Sequence, residues 1–281
     1  DRIRGNFSVT EGTVVMDEGS GNTISLILSN VNISANGSLV FQRGNYRNFS
    51  LTTGNFTVST SNPVKRPSII MDSSLGVLNW TVNGNLQLNH SFNALAGTTF
   101  ESGGDARITV NGNANFSGGS IVLVTKADAP CRLQVSGTTT LNNTVGTVCF
   151  LDGGNGTFNF STTDLLVQSG NSNYLFGLPG SLLQVKGVAN FSITNDFIQS
   201  GSSRFFAAWA DSTINRVRFI VGRDFKMLHA DAQFTGAITS GLFTHRTGGN
   251  FEQLGGQYIG QRNVQNTASD SVIIIGNYTL S

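Results

Sequence analysis

The stretch Arg107-Ile108-Thr109-Val110-Asn111-Gly112-Asn113-Ala114-Asn115-Phe116-Ser117 decides the fold. Apolar and polar residues alternate up to Val110, an Asn-Gly-Asn corner interrupts them, and the alternation resumes at Ala114. Period two with a turn between reads as two short strands, each with one buried face. The phrase then returns at a fixed distance. Ile108, Leu133, Phe158 and Leu183 are spaced by 25 residues, as are Val110, Val135, Phe160 and Val185 and also Phe116, Leu141, Leu166 and Phe191. Gly112, Gly137, Thr162 and Gly187 form the matching turn column. A constant period of this size marks a repeat architecture.

Outward from this core the triplets Gly5-Asn6-Phe7, Gly54-Asn55-Phe56, Gly84-Asn85-Leu86, Gly249-Asn250-Phe251 and Gly276-Asn277-Tyr278 carry the period to both ends. The spacing predicts roughly eleven repeats of about 25–30 residues. Local runs such as Leu78-Asn79-Trp80-Thr81-Val82 and Thr157-Phe158-Asn159-Phe160 alternate like half-buried strands, and a helical period never persists. A unit this short cannot bury its own apolar face, but it can when stacked on copies of itself. The expectation is all-β: one continuous right-handed parallel β-solenoid over 1–281, with three strands per coil and like residues stacked in interior columns. Phenylalanine suits such an interior because its ring buries area without a polar atom. Four prolines in 281 residues suit a chain whose N–H groups feed ladders.

Composition removes several classes of function. Charged residues are 12% of the chain, against about 25% in typical proteins. A net charge of +1 argues against general nucleic-acid binding, which needs many phosphate-neutralising cations. No run is long and apolar enough to span a bilayer as a helix. The acids are dispersed: Asp105, Asp128, Asp152 and Asp231 fall at turns and Asp17-Glu18 is a lone pair. Polysaccharide-cleaving β-helices need carboxylates converging on one face, so the expectation is no enzyme and no cofactor. His90, His229 and His245 share no metal-ligand spacing and read as surface or turn residues.

The phrases Gly5-Asn6-Phe7-Ser8-Val9, Val110-Asn111-Gly112-Asn113-Ala114-Asn115-Phe116-Ser117-Gly118-Gly119 and Gly54-Asn55-Phe56-Thr57-Val58 resemble a known group. They are similar to the repetitive β-solenoid regions of very large Bacteroidota cell-surface proteins exported by the type 9 secretion system, a group that includes gliding-motility adhesins. The resemblance implies an extracellular, cell-attached module with a structural or adhesive task. Asp211-Ser212-Thr213 and Asp270-Ser271-Val272 resemble the O-glycosylation signal of Bacteroidota, which would place a glycan on Ser212 and Ser271. Both ends of the chain fall inside repeats, so the expected partners are neighbouring solenoid segments of the same chain or end-to-end copies.

Cys131 and Cys149 lie less than one coil apart, and a disulfide or two buried thiols are both open. The step from Gly187 to Gly222 is 35 residues, so an enlarged coil or insertion is expected over 195–219. It gathers Arg204, Phe205, Phe206, Trp209, Arg216 and Arg218, and rings beside arginines suit stacking on sugars or pairing with acidic surface glycans. A polysaccharide-binding or polysaccharide-degrading β-helix is therefore the alternative function. An ice-binding face is a second alternative, but Thr98-Thr99, Thr138-Thr139-Thr140 and Thr162-Thr163 keep no common column. Thirteen Asn-x-Ser/Thr triplets, among them Asn6, Asn55, Asn115 and Asn190, are what this solenoid pattern writes by itself.

Overall fold

A computed structural model describes residues 2–3, 5–15, 21–42, 46–60, 69–71, 77–90, 98–102, 106–117, 121–125, 131–142, 147–149, 157–169, 172–174, 188–207, 216–237, 242–261 and 269–281. Among these residues there is no helix, and the strand pairings are parallel. An eleven-stranded sheet, here the first, runs from Arg2–Ile3 to Ser269–Ile274. A twelve-stranded second sheet runs from Phe7–Val15 to Tyr278–Leu280. The third side consists of a two-stranded piece, Thr98–Ser102 with Ile121–Thr125, and a five-stranded piece from Thr147–Cys149 to Gln257–Gln261. Each strand pairs with the strand one circuit later in the chain, not with its immediate successor. The chain is a parallel β-solenoid.

The eleven uniform coils with three strands each are not matched. A complete three-sided coil is described only for about five turns, the extent of the five-stranded third sheet. Near the N-terminus each coil has one long strand, Phe7–Val15 and then Val31–Gln42, in place of separate second- and third-side strands, and Ile69–Met71 pairs onto the far half of Val31–Gln42. Coil length also varies, from 24 residues between Asn6 and Asn30 to 32 between Asp164 and Asp196. The varying length is taken up on the way from the second sheet round the third side to the next first-sheet strand: Ala114 to Leu133 is 19 residues and Leu165 to Phe191 is 26, whereas the corner from first to second sheet stays nearly constant.

The interior columns follow from the register. In the first sheet Leu26, Leu51, Trp80, Ile108, Leu133, Phe160, Phe191, Phe219 and His245 stand over one another. In the second, Phe56, Leu86, Ala114, Thr139, Leu165, Phe197, Phe225 and Phe251 do so. Val110, Val135 and Phe160 are buried as expected, and Val185, like Leu183, lies outside the described residues. The 25-residue period slips by two at Phe160, which pairs with Leu133, while Phe158 pairs with Cys131. Leu166 corrects the expectation: it points outward opposite Thr140, and its neighbours Leu165 and Val167 enter the core. Phe191 is buried, but in the first sheet's column and not the second's.

Toward the C-terminus rings fill the core. Phe197, Phe225 and Phe251 stack at 4.6 and 4.7 Å between centroids. Phe205, Phe234 and Tyr258 make a second stack at 5.5 and 5.1 Å. Each fully buried Phe contributes about 2–3 kcal/mol of burial.

The corner between the first and second sheets carries a polar ladder. Asn30 Oδ1 accepts the backbone N–H of Asn55 at 2.9 Å, Asn55 that of Asn85 at 2.8 Å, and Asn85 that of Asn113 at 2.8 Å. Asn113 accepts from Thr138 at 2.9 Å; Thr138 Oγ1 meets Asp164 Oδ2 at 3.5 Å, and the series resumes from Asp164 through Asp196, Asp224 and Asn250 to the N–H of Asn277. Beside it the backbone N–H of Gly84, Gly112, Gly137, Thr163 and Asn195 each bonds the carbonyl of its predecessor in the row. The glycines are there for space. A Cβ on Gly112 would meet Asn85 Oδ1 and lie 2.6 Å from the Gly84 carbonyl oxygen, and its φ is not positive.

Candidate binding surface

Among the described residues, the segment expected to form an enlarged coil does not bring Arg204 together with Arg216 and Arg218. Arg204–Phe206 is a strand of the third sheet, and Arg216–Val221 belongs to the first. Arg204 is exposed on one side of the rod, and Arg216 and Arg218 are exposed on another. Phe205 and Phe206 are 0% and 3% exposed, which removes them as rings offered to a partner. Phe205 packs edge-on to Phe197 at 5.2 Å and on Phe219 at 5.8 Å, so period-two alternation has turned it inward. Trp209 and Ser212 lie outside the described residues. The extra length of the chain also enters earlier than 195–219: Asn159 to Asn190 is 31 residues, whereas Asp196 to Asp224 is an ordinary 28. With Asn195 and Arg223 in the turn row, the Gly column from which the 35-residue step was measured is not the structural one.

Cys131 opens a first-sheet strand and Cys149 ends a third-sheet strand. Their side chains, and with them the disulfide, lie outside the described residues. Ser271 sits at an outward position of the first sheet, in register with Thr244. Asn190 Nδ2 donates to Asn159 Oδ1 at 3.0 Å, a side-chain ladder on that same face. Thr139 and Thr162 are buried and bonded to each other at 2.9 Å, so they do not belong to an exposed threonine array.

Acidic residues gather at the corner ladder. Asp164, Asp196 and Asp224 occupy consecutive Asn positions and accept the next coil's N–H through Oδ1. The second oxygens of two of them face cations: Arg223 reaches Asp196 at 2.8 Å and Lys226 reaches Asp224 at 3.1 Å. The Asn250 N–H, with Lys226 adding to it, holds the Asp224 carboxyl below the usual carboxylate range. This geometry fastens coils together. Among the described residues no group of three or more His, Cys, Asp or Glu is arranged to hold a metal ion.

His245 is the polar centre that sequence reading missed. It is fully buried, not a surface or turn residue, and it continues the column of Phe219. Its Nδ1 lies 2.7 Å from the Tyr258 hydroxyl and its Nε2 2.9 Å from Thr247 Oγ1. Phe219, Phe225, Phe234 and Phe251 surround the ring. Burial lowers its pKa to about 3, so the imidazole is neutral, with one nitrogen donating and the other accepting. Burial likewise raises the Tyr258 phenol. The signal was available in the phase of Phe243-x-His245-x-Thr247, which matches Val217-x-Phe219-x-Val221. Elsewhere in the core, Gln199 Nε2 donates to the carbonyls of Ser203 and Gln233, tying the second sheet to the third.

Comparison with protein-family models, with curated proteins and with solved structures returns no match to this chain.

Proposed function

We propose that this chain is a segment of an extracellular, cell-attached solenoid rod with a structural or adhesive task. One observation carries the reading: the corner ladder recurs between Asn30 and Asn277, with a hydroxyl contact standing in for it at Thr138, so sequence is spent on stacking in coil after coil. Residues that serve such a ladder repeat in every coil, whereas a catalytic site needs a local departure from the repeat. The resemblance to Bacteroidota surface proteins exported by the type 9 secretion system supports the outer-surface location, and gliding motility or adhesion is the corresponding process. We take the coil to be right-handed, as nearly all parallel strand connections are, and the partners to be further solenoid segments or end-to-end copies. No catalysis and no cofactor are assigned.

The test is deletion of this segment from the gene in the producing cell, with antibody labelling of intact cells. Surface labelling in the parent, with loss of adherence or surface movement in the deletion strain, is the expected result. Labelling only after lysis, or release of oligosaccharides from an acidic polysaccharide by the purified chain, would overturn the proposal.

A further inference from the structure

The outward face of the first sheet is charged with one sign. Arg107, Arg132, Arg216, Arg218 and Arg246 are exposed there. Among the described residues no Asp or Glu points outward from it. Asp270, on the last strand, is in register with Phe243 and so belongs to an inward column. Asp164, Asp196 and Asp224 stand at the corner, where Arg223 and Lys226 engage two of them.

The arginines are aligned along the rod. Arg107 is in register with Arg132, Arg132 with Asn159, Asn159 with Asn190, and Asn190 with Arg218. Arg216 precedes Arg218 on the same strand, and Arg246 sits on the next strand, in register with Ile220. At ~4.8 Å per coil, about 19 Å separates Arg107 from Arg218 along the axis. Like charges on adjacent strands oppose folding, yet Arg216, Arg218 and Arg246 share one patch.

We propose that this face binds a linear anionic polysaccharide laid along the rod axis, its carboxylate or sulfate groups paired with Arg132, Arg218 and Arg246. Guanidinium forks match such oxyanions in a bidentate manner. The rise per coil is close to the length of one sugar ring, so successive sugars can meet successive coils. Between the arginines the row offers the Asn159 and Asn190 amides, which hydrogen-bond sugar hydroxyls and give nucleobases no stacking platform. The net charge of only +1 also disfavours a nucleic-acid duplex. The inference concerns the face alone and stands apart from whether the rod serves adhesion or spacing.

The experiment measures binding of the 281-residue chain to heparin and to polygalacturonate, with duplex DNA, phosphatidylserine vesicles and neutral dextran as comparisons. The face variant R132Q/R218Q/R246Q is set against R204Q/R223Q/K226Q, which removes the same charge from the rest of the surface. Circular dichroism and thermal melts check that both fold, and single Arg132→Gln and Arg246→Gln variants replace the face triple if it does not. Wild type should bind one or both acidic polysaccharides, more weakly as salt rises. The face variant should lose at least about tenfold and the other triple no more than about twofold. Equal losses in the two triples, no loss in the face variant, no binding to either acidic polysaccharide, or tighter binding to DNA or vesicles would each overturn the proposal. Failure here would leave the surface-labelling result for the rod unchanged.

Discussion

Acid should loosen the C-terminal coils through His245, in a pH range where carboxylates are still ionised. The folded imidazole has a pKa lowered to about 3 from 6.5, because the ring is buried among phenylalanines. In the unfolded chain it binds a proton below pH 6.5, and in the folded chain it does not until about pH 3. The unfolded state therefore holds more protons between these values, and stability is lost as pH falls through that window. Between pH 7 and pH 5 the unfolded imidazole goes from mostly neutral to mostly charged while the folded one stays neutral, which costs about 2 kcal/mol. Asp224 acts lower: its depressed pKa adds stability that is lost only as pH falls below 3.8, so the two groups separate. The assay is hydrogen exchange read by mass spectrometry on peptides from 242–261 and 46–60, in wild type and His245→Phe. Phenylalanine continues the aromatic column, and the variant should lose the pH 5–7 slope in 242–261 whatever its absolute stability. An equal slope in both proteins would refute the assignment, as would a slope that is uniform along the rod.

Phe225→Ala removes a ring stacked on both Phe197 and Phe251 and should cost about 3–5 kcal/mol, with exchange protection falling in 219–261 and holding in 46–60. Gly112→Ala presses a methyl against Asn85 Oδ1 and should cost about 1–3 kcal/mol in urea denaturation, although alanine is otherwise well tolerated where φ is negative. Asp196→Asn keeps the acceptor for the Asp224 N–H and gives up only an ion pair to an exposed Arg223, so it should change stability by less than about 1 kcal/mol. Asp196→Ala removes the acceptor as well and should cost more than the Asn variant by about 1 kcal/mol.

Fold class was legible because alternation and period act on every coil at once. Ile108, Val110, Leu133 and Val135 align at 25 residues in sequence and in register. The alignment failed where one coil is longer than its neighbour: Phe158 and Leu166 keep the spacing, but Phe160 and Val167 hold the places it assigned them. A sheet counts ladder positions, not residues, and the way round the third side absorbs the difference. The same slip misplaced the enlarged coil, because Thr163, Asn195 and Arg223 do the work of glycine in the turn row. Arg204, Phe205, Arg216 and Arg218 are neighbours in sequence, yet the coil sends them to two outer faces and the core. Proximity along a solenoid chain says little about shared surfaces. The arginine face was hidden for the complementary reason: Arg132 and Arg218 meet only once Asn159 and Asn190 are known to stand between them.

The ladders have a mechanical consequence. Strand-to-strand hydrogen bonds point along the rod, so tension on its two ends pulls directly on them, one coil at a time. Each released coil frees 24 to 32 residues, or roughly 80–110 Å of extended chain, in exchange for ~4.8 Å of rod. Detachment from either end therefore turns a short stiff strut into a long compliant tether, with the corner amides as the clasps that open in turn.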